Sequence, residues 1–286
     1  TAKRPVLSSN VVATNLRLGD YAVDSLKADA SYADGEGRST VEAWSGEARA
    51  YLNIDIPIDT ETWSIASGRR DMDVAVTTTA LPLSYFEGNL GAVTDLAGSV
   101  DADVWFRGPS DSVTGSGTAS LSGGRGQIAA IDLSLANVHA EVVLSDSGLE
   151  IDRFRASSDG GGQVEVTGRI GMTPLDLGTL SGLRLDQLDL ALVSANFRAV
   201  GLDELNGDVD VDLRLTGALN SPMVAGNVVV RRAEVRLPDL LEGPPNPESV
   251  WRTVAFFKNL GSEVRLDIPR QVWLRDDNLN VEITGD

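Results

Sequence analysis

The sequence predicts an all-β chain, folded as a long, curled, mainly antiparallel open sheet with one or two short helices. Three observations carry this. Apolar and polar residues alternate with a period of two along most of the 286 residues. Clusters of Gly, Asn, Asp and Ser punctuate the alternating runs, and a unit of thirteen residues recurs. Successive side chains of a strand point to opposite faces, so each alternating run has one apolar and one wet face. That pattern belongs to antiparallel sheets, because buried parallel strands read as continuous apolar runs.

Taken in order, the first long run sets Ala48, Ala50, Leu52, Ile54, Ile56 and Ile58 against Glu47, Arg49, Tyr51, Asn53 and Asp55. Met72, Val74 and Val76 follow, then Val100, Val104 and Phe106. The alternation returns at Ile131-Leu133-Leu135 and at Leu188-Leu190-Leu192. Val209, Val211, Leu213 and Leu215 alternate with Asp208, Asp210, Asp212 and Arg214. Val228 and Val230 continue the pattern, as do Val264, Leu266 and Ile268. Between the runs, Asp34-Gly35-Glu36-Gly37, Ser122-Gly123-Gly124, Ser145-Asp146-Ser147-Gly148 and Ser158-Asp159-Gly160-Gly161-Gly162 read as hairpin turns, where glycine supplies positive φ. About eighteen to twenty strands result, too many for a flat sheet, since accumulated twist makes such a sheet curl, split or close.

Two segments break the period. Residues 247–260 read as a helix capped by Asn246, with Pro247 in the first turn and Gly261 at the end. Its apolar stripe holds Val250, Trp251, Val254, Phe257 and Leu260, so Trp251, Val254 and Phe257 are candidates to plug or line a trough. Residues 82–96 are a weaker helical candidate, with Leu83, Phe86, Leu90 and Val93 on one side.

The recurring unit is Leu96-Ala-Gly-Ser-Val-Asp-Ala-Asp-Val-Trp-Phe-Arg-Gly108, matched without gaps by Leu205-Asn-Gly-Asp-Val-Asp-Val-Asp-Leu-Arg-Leu-Thr-Gly217, with Gly117 and Gly226 at the same offset. A second echo pairs Val164-Glu-Val-Thr-Gly168 with Val281-Glu-Ile-Thr-Gly285. The expected organisation is one section over 1–286, built of repeat-like units at roughly 41–163 and 164–281, which stack and extend one apolar surface.

Composition narrows the function. A net charge of −18 repels phosphate and argues against nucleic acid as a partner. With 0 cysteines, disulfides, thiolate metal sites and Cys nucleophiles are excluded. No apolar run reaches bilayer-spanning length and the N-terminus has no signal pattern. Both ends read as cut from something longer, with any anchor outside this chain.

The sequence also offers little for catalysis. His139 is the 1 histidine, on the parity opposite the apolar residues of its run, and reads as a surface residue. Asp208-x-Asp210-x-Asp212 has a calcium-like spacing but lacks the glycine turn and distal Glu of such a loop, and reads as a solvated strand face. Gly160-Gly161-Gly162 reads as a hairpin tip. No nucleophile elbow, phosphate loop or dinucleotide fingerprint is present. The expectation is a protein that is not an enzyme and needs no catalytic cofactor or metal.

The apolar faces then have two readings: a closed sandwich or solenoid with a dry core, or a curled sheet leaving a trough too wide for its own side chains to fill. An exposed trough of that size needs a ligand. Acyl chains fit, since each buried CH₂ contributes about 0.8 kcal/mol without directional contacts. The pattern alone leaves both readings open.

Resemblance favours the trough. The two Leu-x-Gly-x-Val-Asp-x-Asp units at 96–108 and 205–217, each followed by a further Gly, look like the repeating unit of the TamB family within the AsmA-like superfamily. Ser221-Pro222-x-x-x-Gly226 and the stretch from Ile268 to Asn280 are similar to the family's pattern. The resemblance implies a taco-shaped β-groove in the periplasm of a parent protein anchored in the inner membrane. It implies phospholipid movement towards the outer membrane and a TamA-like outer-membrane barrel partner, reached through parts outside this chain, which would be a mid-bridge section. A scaffold for outer-membrane protein assembly is the alternative role. On the groove reading, phospholipid tails are expected on Ala50, Leu52, Ile54, Ile56, Val74, Val76, Val100, Val104, Phe106, Leu133, Leu135, Leu190, Leu192, Val209, Val211, Leu213, Leu215, Val228, Val230, Leu266 and Ile268.

Overall fold

The computed structural model describes residues 5–18, 21–59, 61–62, 64–66, 71–89, 93–128, 132–173, 184–201, 205–236, 259–276 and 279–285. The helix expected at 247–260, with Trp251, Val254 and Phe257, lies outside the described residues.

The strands are β1 (Leu7–Leu18), β2 (Tyr21–Ala33), β3 (Glu36–Ser45), β4 (Ala48–Asp59), β5 (Ser64–Ile65), β6 (Asp71–Pro82), β7 (Val93–Pro109) and β8 (Thr114–Ile128). They continue as β9 (Leu133–Ser145), β10 (Gly148–Ser158), β11 (Gln163–Thr173), β12 (Arg184–Gly201), β13 (Leu205–Ala218), β14 (Ser221–Arg236), β15 (Gly261–Asp276) and β16 (Leu279–Gly285). All belong to one sheet in sequence order, except that β4 pairs with both β6 and the short β5. Neighbours are antiparallel apart from β14 and β15, which run parallel. Among the described residues β1 and β16 do not pair with each other, so the sheet is open.

Turn chemistry explains the meander. Asp34 and Gly35 take φ 53° and 84°, the pair of positive values that a two-residue type I′ hairpin needs. Asp146-Ser147 joins β9 to β10, and the Gly160-Gly161-Gly162 tip joins β10 to β11. Ser122-Gly123-Gly124 is different. It lies inside β8, where Gly123 (φ 59°) sits at a register shift, so this cluster is a bulge and not a turn.

Bulges also correct the strand number, which is 16 among the described residues. An inserted residue switches the parity of everything after it. In β9, odd-numbered Leu133 and Leu135 and even-numbered Val138 and Ala140 share a face, with Asn137 at φ 51° between them. One bulged strand therefore reads as two. The helical candidate at 82–96 is a 3-10 helix over Leu83–Asn89, and β7 has begun by Val93. Tyr85 of this helix meets Tyr21 of β2 edge to face at 4.5 Å, and the Tyr21 hydroxyl donates to the Ser84 carbonyl (3.1 Å).

A single sheet leaves much surface in contact with water. The described strands form one open sheet and not a closed solenoid with a dry core. The largest cluster of buried apolar side chains is local: Leu133, Val138, Ala156, Val164 and Phe197, on β9 to β12.

Candidate functional site: a one-sided apolar face

Residues directly opposite across paired strands project to the same face, so the register shows which side chains the fold brings together. Leu52 lies opposite Val41 on β3 and Val76 on β6, and Val76 opposite Val104 on β7. The row continues through Gly117, Leu144, Leu149, Ile170 and Leu188 to Gly217 and Pro222 on β14. A neighbouring row runs Ala50, Thr78, Ala102, Ala119, Val142, Ile151, Gly168, Leu190, Leu215 and Val224. Fourteen inter-strand steps of about 4.8 Å give this face a length of roughly 65–70 Å.

The candidate lining residues fall on that face. Ile54, Val74 and Phe106 form one row, and Ile56 stands opposite Gly37. Val100 faces Leu81 and Leu121. Leu192 pairs with Leu213, Val211 with Val228, Val209 with Val230, and Val228 with Leu266. Ile268 shares the parity of Leu266 two residues further along β15. Most of these side chains are half-buried, while Leu266 is 50% exposed. Leu133, only 6% exposed, belongs to the buried cluster with Leu135 packed against it. At the β1 end, Leu7, Tyr32, Ile54, Ile56 and Ile58 surround an apolar recess of about 350 Å³. Gly37 makes room there, since a Cβ on it would lie 2.4 Å from Ile58 Cδ1.

Alternation did not reveal several members of this face. Val138, Ala140, Phe154, Ala156 and Phe197 belong to it only because bulges shift their strands. The available signal was an Asn inside an apolar run, at Asn137 and Asn196, followed by a change of parity.

The opposite face is wet and charged. Arg38 Nε contacts Asp55 Oδ2 at 3.1 Å, and Arg107 Nε contacts Asp73 Oδ2 at 2.9 Å. Arg214 donates twice to Asp189, at 2.8 Å each, and holds the Asp189 carboxyl below the usual aspartate range. Asp210 is lowered too, first by its Arg231 partner and also by the backbone N–H of Asn196. His139 is exposed on this side. Asp208 departs from the solvated reading: it is 8% exposed and pairs with Arg198 Nε at 3.5 Å. No helix among the described residues is long and apolar enough to cross a membrane.

Fold and face together define a class: an extended open β-sheet, apolar along one side and charged along the other. Residues 152–286, from within β10 through β16, match the family model of the TamB C-terminal domain. That match, over just under half of the chain, supports assigning it to the TamB family. The family is one of non-catalytic transport and assembly modules and implies a protein of the Gram-negative envelope. Neither a curated protein nor a solved structure matches the chain.

Proposed function

We propose that the apolar face is a groove that conducts phospholipids through the periplasm between inner and outer membranes, with acyl chains on the Leu52 and Leu190 rows and head groups at the open rims. The observation that carries this is the largely half-buried apolar face across the described strands, far larger than the patches a soluble monomer normally exposes. Conduction is passive on this reading. Apolar contact holds a tail without fixing its position, so no catalytic group or cofactor takes part. The parent protein is anchored in the inner membrane, and a TamA-like barrel contacts parts beyond this chain.

Mass spectrometry of the purified protein tests the reading. Co-purifying phospholipid is expected, and a lipid-free protein that binds no apolar dye would sink it.

The edge strands favour a second reading, a scaffold whose edges pair with strands of nascent outer-membrane proteins. On β1, Leu7, Val11 and Val12 are 53%, 49% and 63% exposed, and on β16 Val281 and Ile283 are 43% and 42% exposed. Crosslinkers on β1 should then capture unfolded barrel proteins, and conduction alone predicts that they do not.

A further inference from the structure

We infer that the groove narrows over β9 to β12 and that Phe197 is the side chain that narrows it, an inference resting on the lipid-groove reading above. Phe197 is 8% exposed and clusters with Leu133, Val138, Ala156 and Val164, which are 6%, 7%, 2% and 9% exposed. All five lie on the apolar face of the sheet, and no second layer covers that face among the described residues. Among the described residues only the sheet's own side chains pack on them, and β12 comes into contact with β9 across two intervening strands. Here the curl closes on itself and leaves no room for a tail.

Phe197 reaches this position through a bulge. Leu188, Leu190, Leu192 and Ser194 set the even-numbered parity of the apolar face on β12. On a regular strand Phe197 would point outward with Val193. Asn196, at φ 49°, sits at the register shift between Ser194 and Phe197 and turns Phe197 inward.

Three contacts hold that turn from both neighbouring sides. The Asn196 N–H donates to Asp210 Oδ1 on β13 at 2.7 Å. The Arg198 N–H donates to Ser158 Oγ on β10 at 3.0 Å. Arg198 Nε reaches Asp208 Oδ1 at 3.5 Å. Ser158 and Asp208 are 5% and 8% exposed, so the residues around Phe197 are packed as well as hydrogen-bonded.

On β4 the apolar face is at least four residues wide, from Ala50 to Ile56, and all four are half-buried. On β10 the half-buried positions clear of the cluster are Leu149 and Ile151. Two such positions are about 7 Å apart along a strand. Tails that lie abreast at the β4 end must therefore pass this section in single file. Phe197 is a specificity-determining residue for the number of chains that move together.

A small diazirine amino acid placed singly at Leu52, Ile151, Leu190, Leu213, Val138 or Val164 tests this. The protein is illuminated with vesicles of phosphatidylethanolamine and phosphatidylglycerol. Lipid adducts are expected at the first four positions and absent at Val138 and Val164. In Phe197→Ala, adducts should appear at Val138 and Val164, and Phe197→Leu should restore the original map. Adducts at Val164 as abundant as those at Ile151 in the unsubstituted protein would overturn the narrowing. So would an unchanged map in a folded Phe197→Ala. If Phe197→Ala does not fold, the map with Phe197 present still decides. Absence of adducts at Leu52 and Leu213 as well would instead overturn the lipid-groove reading itself.

Discussion

The backbone N–H of Asn196 donates a 2.7 Å hydrogen bond to the carboxylate of Asp210 on the next strand. The same arrangement occurs in the earlier repeat, where the N–H of Ala80 donates to Asp101 at 2.9 Å. Asp101 and Asp210 occupy equivalent positions of the recurring unit. Their donors both have left-handed backbones, at φ 50° and 49°, and both sit at register shifts. The repeat thus carries a device that stabilises a bulge in the preceding strand. A bulge bends its strand and increases local twist, which is what a sheet this long needs in order to curl.

Removing the acceptor should loosen the bulge. Asp210→Ala leaves a strained N–H without its partner and Arg231 without its carboxylate. The expected loss is about 1–3 kcal/mol, read as a lower urea midpoint. Asp210→Asn keeps an acceptor and should lose less. Equal midpoints for Asp210→Ala and the parent protein would show that the bulge stands without the carboxylate.

Glycines of the repeat should be less replaceable than glycines whose Cβ position opens on free space. Gly117 and Gly226 have φ 140° and 135°, and a Cβ on either would lie 2.1 Å from a backbone oxygen, of Asp103 or Asp212. Gly46 and Gly123 also have positive φ, yet a Cβ there meets nothing within 4 Å. Replacement by Ala at Gly46 should cost about 1 kcal/mol from backbone strain alone. At Gly226 the clash adds to the strain, and the loss should exceed about 3 kcal/mol. Thermal unfolding of Gly46→Ala and Gly226→Ala side by side checks the order, and similar losses would contradict it.

These glycines mark how far the sequence could be read. Simple alternation was enough for Leu52, Val76 and Val104, because the bulge-free stretches of β4, β6 and β7 carry them. Repetition pointed to Asp101, Asp210, Gly117 and Gly226 as a set but not to their roles, which depend on the neighbouring strand. Phe197 and Val138 were hidden because Asn196 and Asn137 reverse the parity on which the pattern rests. Asp208 looked solvated because Arg198, its partner, approaches from another strand. Local pattern thus revealed the face, whereas its narrowing depends on contacts between strands.

Acid should weaken the fold through its paired carboxylates. Arg214 beside Asp189, and Arg231 together with the Asn196 N–H beside Asp210, hold these carboxyls below their ordinary values. Asp59 is lowered by the N–H groups of Glu61 and Thr62. A depressed folded-state pKa contributes stability above the unfolded value, about 3.9 for Asp, and loses it as pH falls towards the folded value. The urea midpoint should therefore fall as the pH drops below about 4. The double variant Asp189→Asn, Asp210→Asn should show a shallower fall over that range. A parent midpoint that holds steady below pH 4 would exclude these pairs as contributors.

Charge placed on the apolar face separates its open parts from its closed part. Leu52 and Leu213 are half-buried on an uncovered sheet, so a carboxylate at either keeps contact with water. Leu52→Asp and Leu213→Asp should fold, with strand-rich circular dichroism and a modest loss of stability, and should lose lipid adducts at the substituted section. Ala156 is 2% exposed inside the Phe197 cluster. A carboxylate there is taken out of water among apolar side chains and costs several kcal/mol, so Ala156→Asp should unfold the protein or displace Phe197. Cooperative unfolding in Leu52→Asp equal to that in Ala156→Asp would mean that the whole face is a dry core and that no groove is open to lipid.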